Sequence, residues 1–95
     1  MGSSKTFNGV DENVFECVKA SSAKEHGTVY EPNDGSSGTA TTKTIVGTVK
    51  LDFSFNPEKK EITYTIKDKP FLAPENEIWS GISNAIHSCG GGENS

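Results

Sequence analysis

Between Thr44 and Phe55 the odd positions Ile45, Gly47, Val49, Leu51, Phe53 and Phe55 are apolar or small. The even positions Thr48, Lys50, Asp52 and Ser54 are polar, with Val46 the exception. A period of two marks a strand with one buried face. Asn56-Pro57-Glu58-Lys59 reads as a type I turn with Asn first and Pro second, after which Ile62, Tyr64 and Ile66 resume the alternation. The spacing therefore predicts a hairpin of strands over about 44–55 and 60–68. Its apolar faces match if Phe55 stands opposite Ile62, Phe53 opposite Tyr64 and Leu51 opposite Ile66, whereas a slip of one residue would turn half of them to the other face.

Pro70 and Pro74 end this strand pair, and Ile78, Ile82, Ala85, Ile86 and Cys89 then recur at helical spacing until Gly90-Gly91-Gly92. A helix over about 75–88 follows, with Glu75 and Glu77 at its positive end and His87 in its last turn, as the helix dipole favours. The segment around Val14-Phe15-Glu16-Cys17-Val18 carries strand-like residues within helix-start chemistry. Asp11 suits an N-cap flanked by Val10 and Phe15 as a hydrophobic staple, which favours a helix over about 11–22. Thr28-Val29-Tyr30 suits a short strand, and 31–38 is a turn-forming loop. Residues 1–5 and 90–95 read as loose tails of a single domain, 1–95. The expected architecture is α+β, an antiparallel sheet covered by the C-terminal helix and by the N-terminal one if it forms. An all-β sandwich is the alternative if the segment around Cys17 extends.

Composition narrows the function classes. Ninety-five residues suffice for one core, and only 32% of them are aliphatic, aromatic or Cys, so that core is thin. Net charge is -4 and the chain contains no arginine, the residue that forks onto phosphate and guanine edges, which argues against nucleic acid. No apolar run reaches membrane-spanning length, and the start MGSSKTFNGV lacks the apolar stretch of an export signal, leaving the compartment open. The same start fits M-G-x-x-x-[ST], a myristoylation pattern that is also met in expression tags.

Two cysteines, Cys17 and Cys89, are too few for structural zinc, and His26 and His87 form no close-spaced ligand pair, so no metal or other cofactor is expected. A Cys17–Cys89 bridge would staple a domain with so thin a core. Two buried free thiols in a reducing compartment are the other reading. No GxSxG, GxGxxG, P-loop or HExxH pattern occurs, and the paired carboxylates sit where helix starts place them, so catalysis is not expected.

Binding remains. Sugars are held by short carboxylates and amides that bridge vicinal hydroxyls, with an aromatic ring against the apolar face of the pyranose. Asn33 and Asp34 share a loop with Tyr30 and His26 nearby, and Trp79 is the only tryptophan, so these five residues are the candidate ligand contacts.

An early VFECVKAS cysteine, a late NAIHSCGG cysteine, a Thr- and Gly-rich middle and a pI near 5.0 resemble the layout of the small, roughly 10 kDa lectins of mushrooms. The resemblance implies a fungal, non-enzymatic, metal-free homodimer that binds terminal galactosides, in the α configuration, at shallow sites. It supplies no residue-by-residue motif. The competing class is a small defence or inhibitor protein presenting the 30–38 loop to a protein target, followed by a structural interaction domain that uses the polar sheet face.

Overall fold

A computed structural model describes residues 3–92. In chain order these form β1 (Ser4–Asn8), α1 (Glu12–His26), β2 (Val29–Glu31), β3 (Ser37–Thr44), β4 (Gly47–Asn56), β5 (Glu61–Asp68) and α2 (Glu75–Ser88). The strands make one antiparallel sheet in the order β1-β5-β4-β3-β2. Both helices pack on the same face, so the fold is α+β and both expected helices are present.

The central hairpin has the register that its apolar residues require. Phe55 faces Ile62, Phe53 faces Tyr64 and Leu51 faces Ile66, and all six are buried. Its turn is held by Asn56, whose Oδ1 accepts the amides of Glu58 and Lys59 at 3.1 and 3.2 Å.

The strand expected over 44–55 is shorter at its start. Thr44 pairs with Gly47 across a two-residue turn, so Ile45 and Val46 connect β3 to β4 and Ile45 is fully exposed. Thr44 stabilises this turn by donating its hydroxyl to the Gly47 carbonyl at 2.7 Å and accepting the Val46 amide.

Strands β1 and β3 lie outside the expected elements. Both are hydroxyl-rich, SKTFN and SGTATTKT, with one large apolar residue between them. Ser4 and Lys5, expected in a tail, belong to β1. On the face away from the helices the hydroxyls of Ser4 and Thr65 meet at 2.7 Å and those of Thr6 and Thr63 at 2.8 Å.

Helix α1 starts as its cap predicts. Asp11 Oδ1 accepts the Val14 amide at 2.9 Å, and the staple residues Val10 and Phe15 are both buried. It runs one turn beyond residue 22 because Gly27, at φ 68°, adopts the left-handed conformation and donates its amide to Ala23. Phe15 stacks on Phe55 with ring centroids 4.5 Å apart and meets Tyr30 edge-on at 6.2 Å.

Cys17 and Cys89 are bonded to each other, joining the first half of α1 to the residue that ends α2. Beside the bridge the Gly91 amide donates to Ile86 and the Gly92 amide to Gly9, so residues 91 and 92 are tied down rather than loose. The myristoylation pattern falls on Gly2, outside the described residues, as do residues 93–95.

Candidate functional site

The bridge fixes the two helices to each other at one end only. Toward the other end a cleft of about 730 Å³ lies between them, with the sheet as its floor. That volume falls within the roughly 300–1,000 Å³ of small-molecule sites. Ala40, Leu51, Tyr30 and Tyr64 form the floor, while Ser22, Glu25 and His26 of α1 face Glu77, Ile82 and Ser88 of α2.

The helical periods explain this lining. Residues 22, 25 and 26 are spaced three and four apart and turn one edge of α1 to the cleft. Val14, Phe15 and Val18 lie on the same face in the earlier turns of the helix and are buried in the core, so that face passes from core to cleft along α1. On α2, Gly81 contributes no side chain and leaves its stretch of wall open; a Cβ built there would meet nothing within 4 Å.

Polar chemistry at the floor centres on two tyrosines. The hydroxyls of Tyr30 and Tyr64 share a buried hydrogen bond of 2.8 Å. Burial pushes the Tyr64 phenol well above its ordinary range, and the nearby Tyr30 adds to the shift. Burial also raises Tyr30, partly offset by its hydrogen bonds to Tyr64 and Ser22. Both phenols are therefore neutral through the physiological range, and their shared hydrogen bond lies at the bottom of the cleft. Nearer the edge, the Thr28 and Thr42 hydroxyls meet at 2.6 Å. Floor and walls together present flat apolar surface beside neutral hydroxyls, with carboxylates and an imidazole at the rim.

The five residues singled out from the sequence fall in three places. Tyr30 and His26 line the cleft. Asp34 lies on the other side of α1, in a shallow depression of about 360 Å³ that also borders Glu16, Lys19 and Phe55. Asn33 engages through its backbone, its carbonyl accepting the Lys19 ammonium. Trp79 is half-buried, its ring 6.4 Å from that of Phe7, and lines neither depression.

Sequence reasoning passed over Tyr64, Glu77 and Ser88, whose common position is set by strand pairing and helix docking. It also passed over Lys19, which is 6% exposed. This lysine pairs with Glu16 at 3.0 Å, lies over the Phe15 ring at 4.5 Å and holds the loop after β2. Among the described residues no three His, Cys, Asp or Glu side chains converge as a metal site would require, and no helix is long and apolar enough to cross a membrane.

No protein-family model matches the chain, and neither a curated protein nor a solved structure matches it.

Proposed function

We propose that the protein is a non-catalytic carbohydrate-binding protein, a lectin, whose ligand occupies the cleft between α1 and α2. The observation carrying this reading is the cleft's mixed lining, in which the Tyr30–Tyr64 hydroxyl pair lies beside apolar floor residues under a rim that includes Glu25, His26 and Glu77. A pyranose has the complementary surface, with one apolar face and a girdle of vicinal hydroxyls. The choice of galactosides comes from the resemblance to small mushroom lectins and not from the cleft. Of the residues first considered, this assignment retains His26 and Tyr30 and leaves out Asn33, Asp34 and Trp79.

Calorimetric titration with methyl α-galactoside and an α-linked digalactoside tests the reading. Removal of one charge-assisted hydrogen bond at the rim, in Glu25→Ala or Glu77→Ala, should weaken binding by about tenfold. Asp34→Ala should bind as the parent does. Loss of binding in Asp34→Ala with retention in both rim variants would move the site to the far side of α1.

A dimer goes with this reading, because crosslinking of glycans needs two sites. The face opposite the helices, with Thr6, Thr63, Thr65 and Lys50, is the surface assigned to it. Light scattering that returns a mass near 10.1 kDa across the micromolar range would reject the dimer.

One observation favours the inhibitor reading instead. Residues 32–36 are braced by Lys19, by the Gly35 amide on the Pro32 carbonyl, and by the Phe55 amide on the Ser36 carbonyl, as a rigid presented loop would be. Absence of binding across a glycan array would leave this reading in its place.

A further inference from the structure

Two tight turns project side by side at the open end of the cleft, and both carry large apolar residues where turn chemistry favours Gly, Asn, Asp or Pro. In the β3–β4 turn the two central residues are Ile45 and Val46. In the loop after β5, the Ala73 amide donates to the Pro70 carbonyl at 3.1 Å, which makes Phe71 and Leu72 the central pair of a second turn. The turns touch, since a Cβ built on Gly47 would lie 2.8 Å from Pro70 Cγ. Ile45 is 103%, Phe71 97% and Leu72 73% exposed. Single exposed apolar side chains are ordinary, but four of them on two adjoining turns form a patch that calls for a partner.

Three features identify that partner. The side chains stand out as knobs from convex turns, so a protein partner would need a matching pocket for each, whereas a lipid interface takes them in without one. The segments 43–48 and 69–74 contain Lys43 and Lys69 and no carboxylate, in a chain of net charge -4; the nearest acids in sequence are Asp68 and Glu75. Of the two lysines Lys43 is the exposed one, and a lysine beside an apolar tip suits a surface of lipid phosphates. Lys69 also stiffens its turn by donating to the Ala73 carbonyl at 2.9 Å, so Phe71 and Leu72 are held outward. Lastly, Val46 and Leu72 line the cleft itself, which makes the apolar tips continuous with the proposed sugar site.

We propose that Ile45, Val46, Phe71 and Leu72 seat in the outer layer of a lipid bilayer, so that the cleft reads a glycan carried on a lipid at the membrane surface. The inference rests on the carbohydrate reading for the headgroup and on the two turns for the lipid.

The test is co-sedimentation with phosphatidylcholine vesicles prepared with and without digalactosyldiacylglycerol, beside calorimetric titration of the free digalactoside. The double variant Ile45→Asn, Phe71→Asp places turn-favoured residues at exposed positions, so the fold is kept. The parent should bind the galactolipid vesicles at least about tenfold more tightly than the plain ones. The double variant should lose at least about tenfold in vesicle binding and keep the parent's affinity for the free sugar. Vesicle binding by the double variant equal to the parent's overturns the lipid assignment and leaves the sugar site standing. Equal capture by both kinds of vesicle, with no binding of free sugar, overturns the carbohydrate reading and the glycolipid assignment with it. A parent dimer that the double variant converts to a monomer assigns the tips to a second copy of this chain and likewise overturns the proposal.

Discussion

The two ends of the interhelical cleft are built by opposite rules. At the closed end the Cys17–Cys89 bond, the buried Val10 and Ile86 and the contact between Gly9 and Gly92 bring backbone against backbone. At the open end α2 begins at Pro74 with no side-chain cap bond, α1 stops at a glycine, and the adjoining turns carry exposed apolar tips. A thin core explains why the fold needs one firmly held end, and the same anchoring lets the helices stand apart where a ligand can enter.

The sharpest way to break the contrast is to cut the bridge. It closes a loop of 72 residues, worth about 4 kcal/mol in the chain-entropy estimate. Cys17→Ser with Cys89→Ser should lower unfolding stability in urea by about that amount. A loss under about 1 kcal/mol would show that packing alone holds the closed end.

Paired glycine substitutions probe the two ends separately. A Cβ on Gly91 would lie 2.7 Å from both the Gly9 carbonyl oxygen and Val14 Cγ1, so Gly91→Ala should cost about 1–3 kcal/mol. Gly81 has open space around it, and Gly81→Ala should stabilise α2 by up to about 1 kcal/mol in thermal melts. If both variants destabilise equally, the two ends are packed alike and the contrast fails.

A smaller effect separates the floor from the rim. The unfolded chain ionises its tyrosines near pH 10, whereas the folded phenols resist ionisation. Stability from this pair is therefore whole below about pH 10 and declines as pH rises above it. Tyr64→Phe should cost about 1 kcal/mol at neutral pH and flatten that alkaline decline. An unchanged alkaline slope would mean that the Tyr64 phenol is no harder to ionise in the fold than in the unfolded chain.

How legible the fold was in the sequence depended on how much apolar pattern each segment carried. Strands β4 and β5 could be paired residue by residue because the six inward residues that face one another are all large and buried. Strands β1 and β3 could not, since Ser, Thr and Gly there leave almost no hydrophobic period and the pairing is stabilised by neighbours and hydroxyl contacts. Ile45 and Val46 misled in the opposite direction: two β-branched residues in a turn look like more strand.

The site was legible in halves. Tyr30 and His26 are close in sequence and meet in the cleft. Asp34 parts from them because the chain crosses to the other side of α1 after β2, where Lys19 holds it. Trp79 packs toward Phe7 on β1, a strand the pattern did not reveal. The α2 wall belongs to residues some fifty positions away from Tyr30, brought over by helix docking that a periodicity reading does not place.

The sheet's flanking strands carry one further consequence, for behaviour at high concentration. β1 is five residues long and β2 only three, with Pro32, which has no amide hydrogen, directly after it. A cross-β fibril grows by laying chain after chain along an open ladder, and neither rim of this sheet offers a ladder long enough to template one. The longest strand, β4, is sealed between β3 and β5, so its apolar sequence is kept from fibril growth for as long as the two rims stay paired.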